Sequence, residues 1–126
     1  MSRDAGEGRR GDGTRVADIL AAAALLEDIV RRGHDLFLSD PHLQAASIRY
    51  LEVIGVAAGE LSKHFREAHP KLPVRKMRGF ANLAKHEYWR VDVDLLWEAV
   101  LAVPAVKAAL ADARIDDPIH EKLRRE

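Results

Sequence analysis

Apolar residues recur at three- and four-residue steps through most of this chain, and nowhere do they alternate with polar residues at the two-residue period of a strand. Val16, Ile19, Leu20, Ala23, Leu26 and Val30 form one stripe, and Ile48, Leu51, Ile54, Gly55, Ala58, Leu61 and Phe65 form a second. Positions three and four apart share one helical face, so each stripe specifies a helix with a single buried side. Thr14 is placed to cap the first helix and Gly33 to stop it. Ser39 or Asp40 caps the second, with Pro41 in the first turn, where a missing N–H costs nothing. Its face continues to Pro70, which predicts a helix of about thirty residues and a long hairpin with the first. Gly55 and Gly59 inside it each cost roughly 1 kcal/mol relative to alanine, so they point to close helix–helix approach, within the domain or between copies. A shorter helix follows from Val74 to about Lys85, turning Met77, Phe80, Leu83 and Ala84 inward. Asp92 caps a fourth helix carrying Val93, Leu96, Trp97 and Val100, and Pro104 kinks it or opens a fifth that ends near Arg114. The expected fold class is all-α, an up-and-down bundle of four to five helices.

At 126 residues the chain has the size of one domain with a real core. That domain is expected to span residues 14–115, between a polar, Gly-rich, flexible tail at 1–13 and a charged tail at 116–126. The absence of cysteine excludes a disulfide framework and a thiolate zinc site, and fits a reducing, cytoplasmic setting. The N-terminus has no apolar core of a secretory signal, and no stretch approaches the roughly 18 apolar residues of a spanning helix, so no membrane partner is expected. The formal net charge is zero, but it is unevenly spread: Lys63 to Arg90 holds eight basic residues and two acidic ones. Such a patch either binds a polyanion or is a solvated face.

The chemistry is concentrated in Met77-Arg78-Gly79-Phe80-Ala81-Asn82-Leu83-Ala84-Lys85-His86-Glu87-Tyr88-Trp89-Arg90-Val91-Asp92. Asn82 and His86, four apart, share a helical face, with Lys85 beside them and Tyr88 at the helix end. An imidazole near a carboxamide, surrounded by cations, suits a phosphodiester. His86 can exchange a proton near neutral pH, Asn82 can orient a phosphate oxygen or the ring, and Lys85 or Arg90 can offset charge on a pentacoordinate phosphorus. The plainer alternatives are a hydrogen-bonded structural histidine and, for Tyr88 and Trp89, core or interface anchors. No two histidines stand at the i, i+4 spacing of a helical zinc motif, so neither a metal nor another cofactor is expected.

From about Val16 to Leu110 the chain resembles the HepT-like toxins of the HEPN ribonuclease superfamily. Two blocks carry the resemblance: Ile48-Arg49-Tyr50-Leu51-Glu52-Val53-Ile54-Gly55-Val56-Ala57-Ala58, and Met77 to Asp92 followed by Leu96-Trp97-Glu98 and Pro104. The family signature is an arginine, four to six intervening residues and a histidine, with a tyrosine two further on. His86, Tyr88 and Asn82 match it. The chain departs from it at Ala81, where the arginine should stand, and at Val56, where an acidic residue is common. The resemblance implies a homodimeric, metal-independent endoribonuclease that cuts RNA, either mRNA or tRNA, by attack of a ribose 2′-hydroxyl. In this picture His86 is the acid or base, and Arg78, Lys85 and Arg90 contact RNA. The implied partner is a small nucleotidyltransferase antitoxin that in some members places AMP on the tyrosine equivalent to Tyr88.

Ala81 divides the readings. One is a toxin ribonuclease attenuated by the missing arginine; another is a catalytically dead dimer of the same fold that serves as a binding module. A third is a helical adaptor whose basic patch is only solvated surface.

Overall fold

The structure, a computed structural model, describes the backbone of residues 2–87 and 92–115 and the side chains of 11–83 and 92–111. Among the described residues it is all-helical: α1 (Ser2–Arg32), α2 (His34–Ser39), α3 (Pro41–Gly59), α4 (Lys63–Ala68), α5 (Val74–Glu87), α6 (Val93–Leu101) and α7 (Val103–Ile115). None of these helices is long and apolar enough to cross a membrane.

Helix α3 is the centre of the bundle and touches α1, α2, α5 and α6. Its stripe of Leu51, Ile54, Ala57 and Ala58 joins Ile19, Ala23 and Leu26 of α1, Met77 and Phe80 of α5, and Leu96, Val100, Val106 and Leu110 of α6 and α7 in one buried core. Each fully buried aliphatic side chain of this kind contributes about 1.5–3 kcal/mol. The first two stripes therefore pair as the periodicity requires, α1 running antiparallel to α3 with Arg15 ion-paired to Glu60 at one end and Gly33 turning the chain at the other. Gly33 takes φ of 98°, a conformation open to glycine and costly for other residues. Asp40 caps α3, accepting from the amides of His42 at 2.8 Å and Leu43 at 3.4 Å, and Pro41 follows in the first turn. Asp92 caps α6 in the same way, from Asp94 at 2.9 Å and Leu95 at 3.3 Å. Pro104 opens a new helix rather than kinking the old one.

Three expectations need correction. The backbone of residues 2–13 is helical and continuous with α1, so Thr14 lies inside a helix and does not cap it. Asp12 supplies part of the reason: it is buried, and its carboxylate accepts from the Ser62 amide at 2.8 Å and the Ser62 hydroxyl at 2.6 Å. That tertiary bond outweighs the low propensity of the glycines around it. The long second helix is instead two, because Glu60 to Ser62 break it and Ser62 caps α4 through the Phe65 amide at 3.0 Å. A short helix, α2, also stands between the hairpin arms. Phe37 of α2 is fully buried against Trp97 of α6, ring centroids 4.9 Å apart, and His34 lies 5.0 Å from the same indole. Gln44 donates to the Phe37 and Leu38 carbonyls at 3.0 and 3.2 Å, satisfying groups the short helix leaves open.

Candidate functional site

Helices α3 and α5 meet without side chains between them at Gly55. A Cβ on Gly55 would lie 2.6 Å from the Ala81 backbone nitrogen, 2.7 Å from the Ala81 Cβ and 3.0 Å from the Met77 carbonyl oxygen. Only glycine allows this approach. The glycine thus serves a close contact within the chain.

Above this contact an open groove of about 680 Å³ runs between the two helices. It is lined by Gly55, Val56, Gly59 and Glu60 from the α3 side, and by Arg75, Arg78, Gly79, Ala81 and Asn82 from α5. Three of the residues singled out in the sequence, Arg78, Ala81 and Asn82, are therefore brought together. Ala81 is half-buried and Asn82 exposed. His86 stands four residues after Asn82 on the same helix, and Lys85 four after Ala81; their backbones belong to α5, and their side chains lie outside the described residues. Tyr88 and Arg90 lie wholly outside them.

The groove is polar on its α5 wall and small on its α3 wall. Gly59 exposes a bare stretch of helix against which Arg78 rests: a Cβ at 59 would sit 3.6 Å from Arg78 Nε and 3.9 Å from its Cγ. Arg78 and Ala81, three residues apart on α5, both line this groove. Among the described residues no carboxylate forms an ion pair with Arg75 or Arg78, whereas Glu60 is engaged by Arg15. Arg75 is the groove residue that reading the sequence passed over as one member of a basic run. Its spacing, three before Arg78 and seven before Asn82, was the available signal. Among the described residues no group of three or more His, Asp or Glu side chains is placed to hold a metal ion.

Arg75 and Arg78 make the α5 wall of this groove cationic, and Asn82 continues it along the helix that carries His86. Residues 19–112 match the model of the family described as "Ribonuclease HepT-like". A protein named "Probable ribonuclease HepT" from Thermococcus cleftensis is 35% identical over 99 residues, covering 77% of this chain and 90% of the relative. Proteins named "Putative RNase" from Caldanaerobacter subterraneus subsp. tengcongensis and Methanocaldococcus jannaschii are 38% identical over 77 residues and 35% over 95. These matches cover 61% and 71% of this chain, and 69% and 84% of the relatives. No solved structure matches the chain. The chain belongs to the HepT-like ribonuclease family.

Proposed function

We propose that the chain is the toxin of a toxin–antitoxin pair, a metal-independent endoribonuclease attenuated at Ala81. The observation that carries this reading is the shared groove of Ala81 and Asn82, with His86 one turn beyond on α5. An RNA strand crossing the groove presents a ribose 2′-hydroxyl to the adjacent phosphorus. The 2′-oxygen bonds to phosphorus as its proton goes to a base; the bond to the 5′-oxygen breaks as that oxygen takes a proton from an acid. The products are a 2′,3′-cyclic phosphate and a free 5′-hydroxyl. His86 holds the proton in one of these transfers, and in a homodimer the partner's copy of the same histidine is available for the other.

The phosphorane between these states carries extra negative charge on its non-bridging oxygens. An arginine at 81 would hold two of them with its planar fork, and alanine offers no donor. Losing one oriented donor to a developing oxyanion costs roughly 10²- to 10³-fold in rate, and this is the attenuation expected here. Cleavage of a labelled RNA pool tests the reading. Ala81→Arg should raise the rate by that factor, and adding His86→Ala should remove the gain. An unsubstituted chain that already cleaves as fast as Ala81→Arg would refute the assignment of position 81.

The partner consistent with this reading is a small nucleotidyltransferase that adds AMP to Tyr88, putting charge and bulk where the RNA phosphate must sit. The toxin itself would be a homodimer. Sedimentation should give twice the chain mass, and AMP mass on the Tyr88 peptide should vanish in Tyr88→Phe; a monomer, or labelling that survives the substitution, would contradict these two parts.

The second reading, a binding module without catalysis, is favoured by Ala81 itself. It predicts no cleavage even with arginine restored.

A further inference from the structure

We propose that Arg78 is the phosphate-holding cation of this chain's groove, serving one turn earlier on α5 where Ala81 has no donor to offer. The proposal rests on the groove being the RNA-facing site, and goes beyond it by naming the residue that grips the strand.

Three observations converge on Arg78. Its arm lies against the bare helix at Gly59, with Nε and Cγ 3.6 and 3.9 Å from the position a Cβ would take there. A side chain at 59 would narrow this berth. Next comes the charge around it. Among the described residues no carboxylate pairs with it, Glu60 across the groove is held by Arg15, and Val56 on the α3 wall is 51% exposed and uncharged. A guanidinium with no ion pair among the described residues, in a groove whose Glu60 is already engaged by Arg15, attracts an anion. Third, the helix register is suitable. Arg78 precedes Ala81 by three residues, about 4.5 Å along the helix axis, a distance a long side chain spans. It precedes Asn82 by four residues, and Asn82 precedes His86 by four, so the three positions form one ridge along α5. Arg75, a turn earlier in the same groove and without an ion pair among the described residues, extends the cationic track for the next phosphate.

The ligand this arrangement fits is the phosphodiester of a single strand. The guanidinium fork takes two non-bridging oxygens, and the Asn82 carboxamide N–H is available for a third contact. A surface arginine that merely solvates the helix would have the same exposure but would not distinguish itself from other exposed arginines.

The test is binding of a mixed-sequence 2′-O-methyl RNA oligonucleotide to the full chain, followed by fluorescence anisotropy over a salt series. This probe lacks the attacking hydroxyl and is not consumed. Arg78→Ala should weaken binding about tenfold or more and lower the salt slope by about 0.7, the value for one phosphate contact on a single strand. Arg31→Ala removes an equal charge at the other end of α1 and should leave affinity within about twofold. Matching circular dichroism melts for both variants establish that the fold is intact. The proposal falls if the unsubstituted chain does not bind, or if Arg78→Ala behaves like Arg31→Ala. Cleavage separates it from the ribonuclease reading. Lost binding in Arg78→Ala with no cleavage by Ala81→Arg refutes the enzyme and keeps Arg78 as the groove's cation. Cleavage by Ala81→Arg with unaltered binding in Arg78→Ala refutes Arg78 alone.

Discussion

Helix α3 meets its two main neighbours in different ways. Toward α1 it is held off by side chains: Ile19, Ala23 and Leu26 on one helix, and Leu51, Ile54 and Ala58 on the other, are all fully buried in the core. Toward α5, at Gly55, backbone lies on backbone, with no room for one added carbon. The first contact is made of area and yields gradually when atoms are removed. The second is made of shape: beside the buried Met77 and Phe80 it fixes where α5 lies, and therefore where Arg78, Ala81 and Asn82 stand. Side-chain area and backbone shape thus act on one helix, with Gly55 between Leu51 and Ala58 in a single stripe.

The contrast can be broken by substitution. The largest effect on stability is expected on the α1 flank: Leu26→Ala should cost about 2–5 kcal/mol in urea unfolding at constant m, because it removes fully buried methyls and leaves a cavity. A loss under about 1 kcal/mol would mean that this flank collapses freely. Gly55→Ala should cost about 1–3 kcal/mol, although alanine is the better helix former by roughly 1 kcal/mol, since the new carbon meets backbone atoms that cannot turn aside. A neutral result would show that α5 can back away and that the contact does not set the groove. Gly59→Ala, one turn on, should change little and stabilise by about 0.4–1 kcal/mol, because its carbon would make an ordinary contact with the flexible Arg78 arm. A loss there would mean that the arm is pinned and Gly59 is as constrained as Gly55.

Features set by short-range rules could be read in the sequence. The first stripe buries Val16, Ile19, Ala23 and Leu26, and Asp40, Asp92 and Pro104 mark helix starts, because a cap or a proline acts within its own turn. The features that escaped depend on partners far along the chain. Asp12 and Ser62 are fifty residues apart, and the bond between them accompanies both the extended α1 and the separate α4. Gly55 could be recognised as a close approach, but its partner, Ala81, could not. Of the site, Asn82 and the Asn–His spacing were visible in the sequence; that Arg15, and neither Arg75 nor Arg78, engages Glu60 among the described residues is a tertiary fact.

The Gly55–Ala81 contact also bears on the routes by which the sequence can change. A Cβ at 55 would meet the Ala81 backbone nitrogen and the Met77 carbonyl oxygen as well as the Ala81 Cβ, so position 55 is closed to side chains whatever stands at 81. With glycine at 55, a longer side chain at 81 would meet no side chain from that residue. A library randomised at 81 should therefore yield folded variants with larger residues in the Gly55 background, and fewer of them when 55 is fixed as alanine.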